Sequence, residues 1–536
     1  MSGLSTPAPP PDEPSPFDVP RPLRPQPPRS NRLLGETAPV RRVAATPKVL
    51  LVALATGLLT SWLLGEGMGV DLLLCAAGAA TAAGLTARAA GRRVRPWTLA
   101  WSAPALALLL VPVLWDAGWP TVLSVVLALA LASLALHGGR RWTGVTLPLP
   151  GVLWQLLPSV PWAAQALHNR EYPPRRRVLP VLRSLVVAAV LLVVFGALFA
   201  GADAAMADVL SSLLPSFDPG DVPRRLFLFA LGTLTALSLA HIAAGPRRWD
   251  LVRTSPGRER GRLEWALPLG ALNLMFAVFT VVQVVVLAGG RDAIMTNTGM
   301  SRSEYARQGF WQLMVVTVLT LAVVALAGRW APRSTPADRR LARALLGTLC
   351  VLSLVVVGSA LMRMYFYVDA SGLTRLRLWV LAVEIWLGVV FLLVIATGLL
   401  RSAAWLPRAV VLSVALAAAV YGLMGPDAVV ARQNVARYER TGRIDLRNVR
   451  DLSVDAVPAL DRLASPSGLP GGGEDLRTCA LQNVWYDTGG SQPWYAVSLA
   501  TSRAREVFRA HPLADRADLA CARVGFGEDP SDDYDG

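Results

Sequence analysis

Charge is what this chain has least of. Asp, Glu, Lys and Arg make up 17% of its 536 residues, against about a quarter in an ordinary soluble domain. Lysine is nearly absent, with Lys48 alone, which excludes a phosphate-binding loop because that motif needs a lysine directly after its glycines. Histidine is equally scarce. His137, His168, His241 and His511 are too scattered to place two zinc ligands on one helix face, as a zinc protease requires. No GxSxG elbow occurs, which removes the hydrolase route to an activated serine. The four cysteines form no CxxC and no Cys/His cluster, so no zinc site is expected. On these grounds we expect no catalytic residue, no metal and no cofactor.

What the chain has instead is apolar sequence, 53% hydrophobic with a mean hydropathy of +0.44. It comes in separate runs at 48–64, 70–87, 97–114, 120–137, 179–201, 226–244, 265–288, 311–328, 344–362, 378–400 and 405–424. Each is long enough to cross roughly 30 Å of hydrocarbon as a helix, the form that satisfies its own backbone groups in lipid. The predicted fold is an all-α polytopic transmembrane bundle of about eleven spans.

Arginine sets the orientation. The segment before the first span, the loops 88–95, 245–264 and 329–343 and the stretch 138–178 are Arg-rich, while the alternate loops are poorer. Basic loops stay in the cytoplasm, so the N-terminus is expected inside and the C-terminus outside a bacterial plasma membrane. Trp97, Trp115, Trp119, Trp142, Trp265, Trp311, Trp330, Trp379 and Trp405 fall at span ends, where an amphipathic indole sits. The net charge of +15 lies between the spans: residues from Gly425 onward carry 13 Arg against 17 Asp and Glu. Nucleic acid is therefore not an expected partner, and the bilayer is.

Four regions follow. Residues 1–47 form a Pro/Arg-rich cytoplasmic tail, with eleven prolines in the first thirty positions and too little apolar surface to fold. Residues 48–424 form the bundle. Residues 425–527 form a small, mostly helical extracytoplasmic domain with one short strand expected at TCALQNVWYDT. Residues 528–536 are an acidic, frayed end. The apolar stretch 143–168, broken by Pro148, Pro150, Pro158 and Pro161 and flanked by arginines, reads as an interfacial segment or a shallow re-entrant loop. Cys479 and Cys521 are the cysteines of the outer domain; in an oxidising compartment they are disulfide candidates, the other reading being two unpaired buried thiols.

The stretches YARQGFWQL (305–313), YFYVDASGLTRLRL (365–378) and NVARYERTGRIDLRNVRDLSVDAVPAL (434–460) resemble a family of bacterial membrane proteins known as a domain of unknown function (DUF 4153 / DUF 4173). The resemblance covers roughly residues 180–510. It implies a polytopic bacterial membrane protein and carries over no catalytic or ligand residue.

Candidate site residues come from charge in unusual places. Glu384 lies inside a span, where charge is costly and marks function. With Asn273 and Gln283 it reads either as the lining of a polar path or as interhelical hydrogen bonding. Arg375 and Arg377 lie on the outer face against the orientation rule. They are expected to pair with Asp445, Asp451 and Asp455 in an outer cap, or to reach toward lipid phosphates. Asp203, Asp208, Asp218 and Asp221 form an acidic outer loop, read as solvated or as a cation site. The leading functional reading is a transporter or a lipid- or envelope-handling protein with an unidentified small-molecule or lipid ligand. The alternative is a non-enzymatic signalling or assembly protein with a protein partner. Third is a transferase on a lipid-linked donor, using Glu66 and Asp71.

Overall fold

The computed structural model describes residues 42–64, 67–168, 221–252, 261–288, 302–330, 335–464, 473–488, 493–513 and 517–524. The expected fifth span at 179–201, Glu66, Asp203, Asp208, Asp218, the N-terminal tail as far as residue 41 and the acidic end lie outside them. The described residues are helical and contain no strand.

The bundle opens with α1 (Pro47–Leu63), α2 (Val70–Ala89), α3 (Pro96–Leu109), the short α4 (Val111–Leu114) and α5 (Gly118–His137). It continues with α6 (Trp142–Thr146), α7 (Gly151–His168), α8 (Val222–Ala244), α9 (Arg262–Ala288), α10 (Arg302–Trp330) and α11 (Pro336–Ser371), and closes with α12 (Arg375–Leu400) and α13 (Leu406–Leu423). Among the described residues nine helices are long and apolar enough to cross a membrane, and α1 is a shorter apolar helix of 17 residues. The long α11 is entered through a Thr335 N-cap, whose side chain accepts from the Asp338 N–H, with Pro336 in the first turn; both are standard helix starts.

Three apolar cores hold the bundle. Val49, Ala53, Ala82, Ala236 and Ala240 join α1, α2 and α8, with Trp162 of α7 packed on them. Trp101, Leu108, Leu131, Leu134, Ala415 and Ala419 join α3, α5 and α13. Trp265, Phe276, Leu349, Val356 and Phe391 join α9, α11 and α12, with Leu313 and Val324 of α10. Lipid tails are as apolar as leucine, so such helices associate by close packing of small residues. The α1–α8 crossing shows this: a Cβ added at Gly57 would stand 2.0 Å from Thr233 Oγ1, and one at Gly232 would stand 2.3 Å from Thr60 Oγ1.

The stretch 143–168 supplies a continuous helix, α7, despite Pro158 and Pro161. Its Val152 carbonyl accepts from Ser238 Oγ, while Trp162, ten residues on, stacks on His241 and donates its indole N–H to Val43 O.

Beyond α13 the chain turns at Gly425 into a cap. It contains α14 (Pro426–Thr441), α15 (Leu446–Arg450), α16 (Val457–Leu460), α17 (Gly473–Thr488), α18 (Leu499–Ala510) and α19 (Ala517–Arg523). Val430, Val435, Val449, Val457, Leu460, Leu481 and Phe508 form its core. The short strand expected at TCALQNVWYDT is corrected: these residues are the body of α17. Leu476, Ala480, Leu481 and Val484 are all buried, and their spacing of four, one and three residues is the period of one helix face, which the apolar run concealed. A Cys479–Cys521 disulfide ties α17 to α19.

Candidate functional site: the junction of bundle and cap

The cap is hydrogen-bonded to three polypeptide turns that project from the same end of the bundle, and residues 495–497 also pack on the α1–α2 turn at Gly67 and Gly69. The first lies between α11 and α12. Gly372 there has φ +81°, a conformation favoured by glycine. Thr374 caps α12 by accepting from the Arg377 N–H. Asn434 of α14 reads this turn on both sides, accepting from the Leu373 N–H at 3.2 Å and donating to Leu373 O at 2.7 Å. Asn448 donates to the same carbonyl at 3.0 Å. Arg437 donates to Asp369 O and Ala370 O, closing the end of α11.

The second seat is the α13–α14 elbow. Asp427, in the first turn of α14, is fully buried. It accepts two bonds from the Arg375 guanidinium, at 2.8 and 2.5 Å, and one from the Ser453 N–H at 2.8 Å. A planar guanidinium meets a carboxylate best in this paired geometry.

The third seat is the α4–α5 turn. Trp115 donates its indole N–H to Leu423 O at 2.9 Å. The Asp116 N–H donates to Asp455 Oδ1 at 2.7 Å, and Asp116 Oδ2 accepts from Thr501 Oγ1 at 3.3 Å. Asp455 is 3% exposed, and its Oδ2 has no hydrogen-bond partner. Burial, reinforced by the nearby Asp427 and Asp116 carboxylates, pushes the Asp455 carboxyl up to about 7. Beneath these turns Trp119, Trp379 and Tyr421 pack ring against ring at 5.3–5.5 Å.

The expected residues are distributed as follows. Arg375 does meet the cap, but its partner is Asp427 rather than Asp445, Asp451 or Asp455. Arg377 pairs with none of the three: it donates to Ser371 O and Gly372 O and lies 3.9 Å over the Tyr367 ring. Asp445 caps α15 through the Asn448 N–H, and Asp451 is exposed. Asp455 belongs to the junction, but through a backbone N–H. Asp116, Asp427 and Asn434 were missed. The signal for Asp427 was its place directly after Pro426, where an acid favours a helix N-terminus; its arginine, 52 residues upstream, could be matched only by the fold.

The intramembrane candidates stand apart from this junction. Glu384 has no exposed surface; it accepts from Thr317 Oγ1 of α10 at 3.1 Å, and its Oε2 has no hydrogen-bond partner. It lies nine residues into α12, about 14 Å along the axis from the cap end, inside the span as expected. Asn273 donates to Leu269 O and Leu345 O, joining α9 to α11, and Gln283 is buried. Asp71 is buried and accepts from the Gly69 and Leu72 N–H groups at the start of α2. Asp221 pairs with Arg224. No group of three metal-ligating side chains occurs among the described residues.

An all-helical, polytopic bundle of membrane-spanning apolar helices, carrying a helical cap at one end, defines a multi-pass membrane protein. The chain belongs to the family described as "Domain of unknown function (DUF4153)", which matches residues 102–463, about two thirds of its length. The match begins earlier than the sequence resemblance, at α3, and ends within the cap, before α17. No curated protein and no solved structure matches the chain.

Proposed function

We propose that this protein is a non-enzymatic signalling or assembly protein of a bacterial plasma membrane, N-terminus inside, which offers its C-terminal cap (within 425–527) to a partner on the outer side. The observation that carries this reading is the threefold seating of the cap. Arg375–Asp427, Asn434 on Leu373, and Asp455 on the Asp116 N–H link it to turns from the early and the late parts of the bundle. A cap so attached passes force or displacement into the spans as one body. The Cys479–Cys521 disulfide favours an oxidising, extracytoplasmic compartment. Interior helices packed closely around Glu384 speak against an open polar path.

The test is genetic. In a deletion strain profiled for lipids, envelope integrity and small-molecule sensitivity, Glu384→Gln is expected to restore the wild-type state and Arg375→Leu is not, at matched membrane abundance. Restoration by Arg375→Leu with failure of Glu384→Gln sinks the proposal. That outcome would favour the second reading, transport or lipid handling, which rests on the unpartnered Glu384 Oε2 in the middle of the spans.

A further inference from the structure

The end of the bundle opposite the cap carries a cluster of arginines that the proposed function leaves unused. The α2–α3 turn forms an open depression of about 430 Å³ lined by Gly91, Arg92, Arg93 and Arg95. Its floor is preorganised, because the Arg92 guanidinium is fixed by the last-turn carbonyls of two other helices, Leu136 O of α5 and Ala243 O of α8. Arg247 follows Ala243 by four residues, and Arg42 adjoins Val43, whose N–H donates to Ala244 O.

The charges here repel one another. Burial and then Arg95 hold the Arg92 guanidinium below its ordinary value, and burial and then Arg247 do the same for Arg42. Among the described residues no carboxylate forms an ion pair with Arg42, Arg92, Arg93, Arg95 or Arg247. Elsewhere at this end Arg262 pairs with Asp338, and the Asp250 carboxylate accepts from the Arg140 and Arg141 backbone N–H groups, so carboxylates are present at this end but none is placed on these five arginines. Like charges gathered around a concavity at a bundle end call for an external anion. Guanidinium forks match phosphate oxygens, and basic pockets between spanning helices suit phosphate headgroups.

We propose that the depression at Arg92, Arg93 and Arg95 is a binding site for a phosphate-bearing anion, either an anionic phospholipid headgroup or a soluble phosphate compound. Arg92, already bonded to two helix ends, shapes the site. Arg93 and Arg95, both exposed, make the ligand contacts.

The full chain is reconstituted in nanodiscs of phosphatidylcholine, with or without phosphatidylglycerol. Retained lipid is read by native mass spectrometry, and binding of inorganic phosphate and pyrophosphate is read by calorimetry in the neutral discs. The variants are Arg93→Gln/Arg95→Gln and, as a control for general inner-face charge, Arg340→Gln/Arg343→Gln. The expected result is binding of at least one probe that weakens tenfold or more in the first variant and less than twofold in the control. Binding of phosphatidylglycerol alone assigns a lipid headgroup, and binding of phosphate or pyrophosphate assigns a soluble ligand. Equal weakening in both variants, or no binding by any probe, overturns the proposal. Both exchanged residues are exposed, so a folded variant is expected, and an unchanged elution profile checks it.

Discussion

Asp455→Asn is the sharpest perturbation of the junction. Asp455 faces Asp116 on the α4–α5 turn, Asp427 and Arg375 on the α14 and α12 starts, and Thr501 of α18 through Asp116. Its carboxyl is held at about 7, whereas an unfolded aspartate titrates near ~3.9. Between those values the unfolded chain is ionised there and the folded chain holds a proton. Stability from this group is therefore full at low pH, falls as pH rises from about 4 through 7, and levels off above. Three units at about 1.4 kcal/mol each give a loss on the order of 4 kcal/mol, an upper bound because the junction can relax or admit water. Asparagine keeps the acceptor for the Asp116 N–H and cannot ionise. The assay is thermal unfolding of the purified chain in one detergent between pH 5 and pH 8.5. The wild-type midpoint is expected to fall across this range relative to the variant, and the variant is expected to be the more stable at pH 8. Parallel curves would refute the reasoning, because a difference that does not change with pH means that no buried proton is held at this position.

Other outcomes follow from the same geometry. Arg375→Leu leaves the buried Asp427 without its cation; with the arginine side chain about one third exposed, the cost is expected at roughly 1–3 kcal/mol, read as faster proteolysis of the cap in intact membranes. Cys479→Ser with Cys521→Ser opens a link across 42 residues, a constraint worth up to about 4 kcal/mol in the chain-entropy treatment; the melting point should fall, and in a Cys75→Ser/Cys350→Ser background, which removes the two free thiols, maleimide should label the chain only after reduction. Gly372→Ala places a Cβ 2.5 Å from Asn434 Oδ1 at φ +81° and should loosen the cap by at least about 1 kcal/mol, whereas the same exchange at Gly84, open on all sides, should not. Glu384→Gln keeps the bond with Thr317 and should leave unfolding unchanged within about 1 kcal/mol; a loss of several kcal/mol would mean an ionised, paired carboxylate.

Much of the fold was legible because it depends on local composition. Helices such as α5 and α12 carry nearly unbroken apolar sequence, and lipid leaves such a segment no alternative to a helix. The cap was harder. TCALQNVWYDT reads as a strand in isolation, and only the neighbours that bury Leu476, Ala480, Leu481 and Val484 select the helix. Arg375 and Arg377 were read as seeking either cap carboxylates or lipid phosphates, but charge carries no address. Asp427 and the Asp445–Asp455 group lie at similar distances along the chain from Arg375, and the elbow at Gly425 is what carries Asp427 to it.

By itself, the sequence determined that the chain is helical and that it is a multi-pass membrane protein. Those conclusions need only the cost of exposing peptide groups and charge to hydrocarbon, which each segment meets alone. The tertiary structure decided the rest: that Asp427 holds Arg375, that Asp455 is buried on the Asp116 N–H, that Glu384 is sealed beneath the mouth, and that Arg92, Arg93 and Arg95 share one depression. Each depends on groups far apart in the chain meeting within about 3 Å, a distance set by helix packing rather than by any local property of the residues.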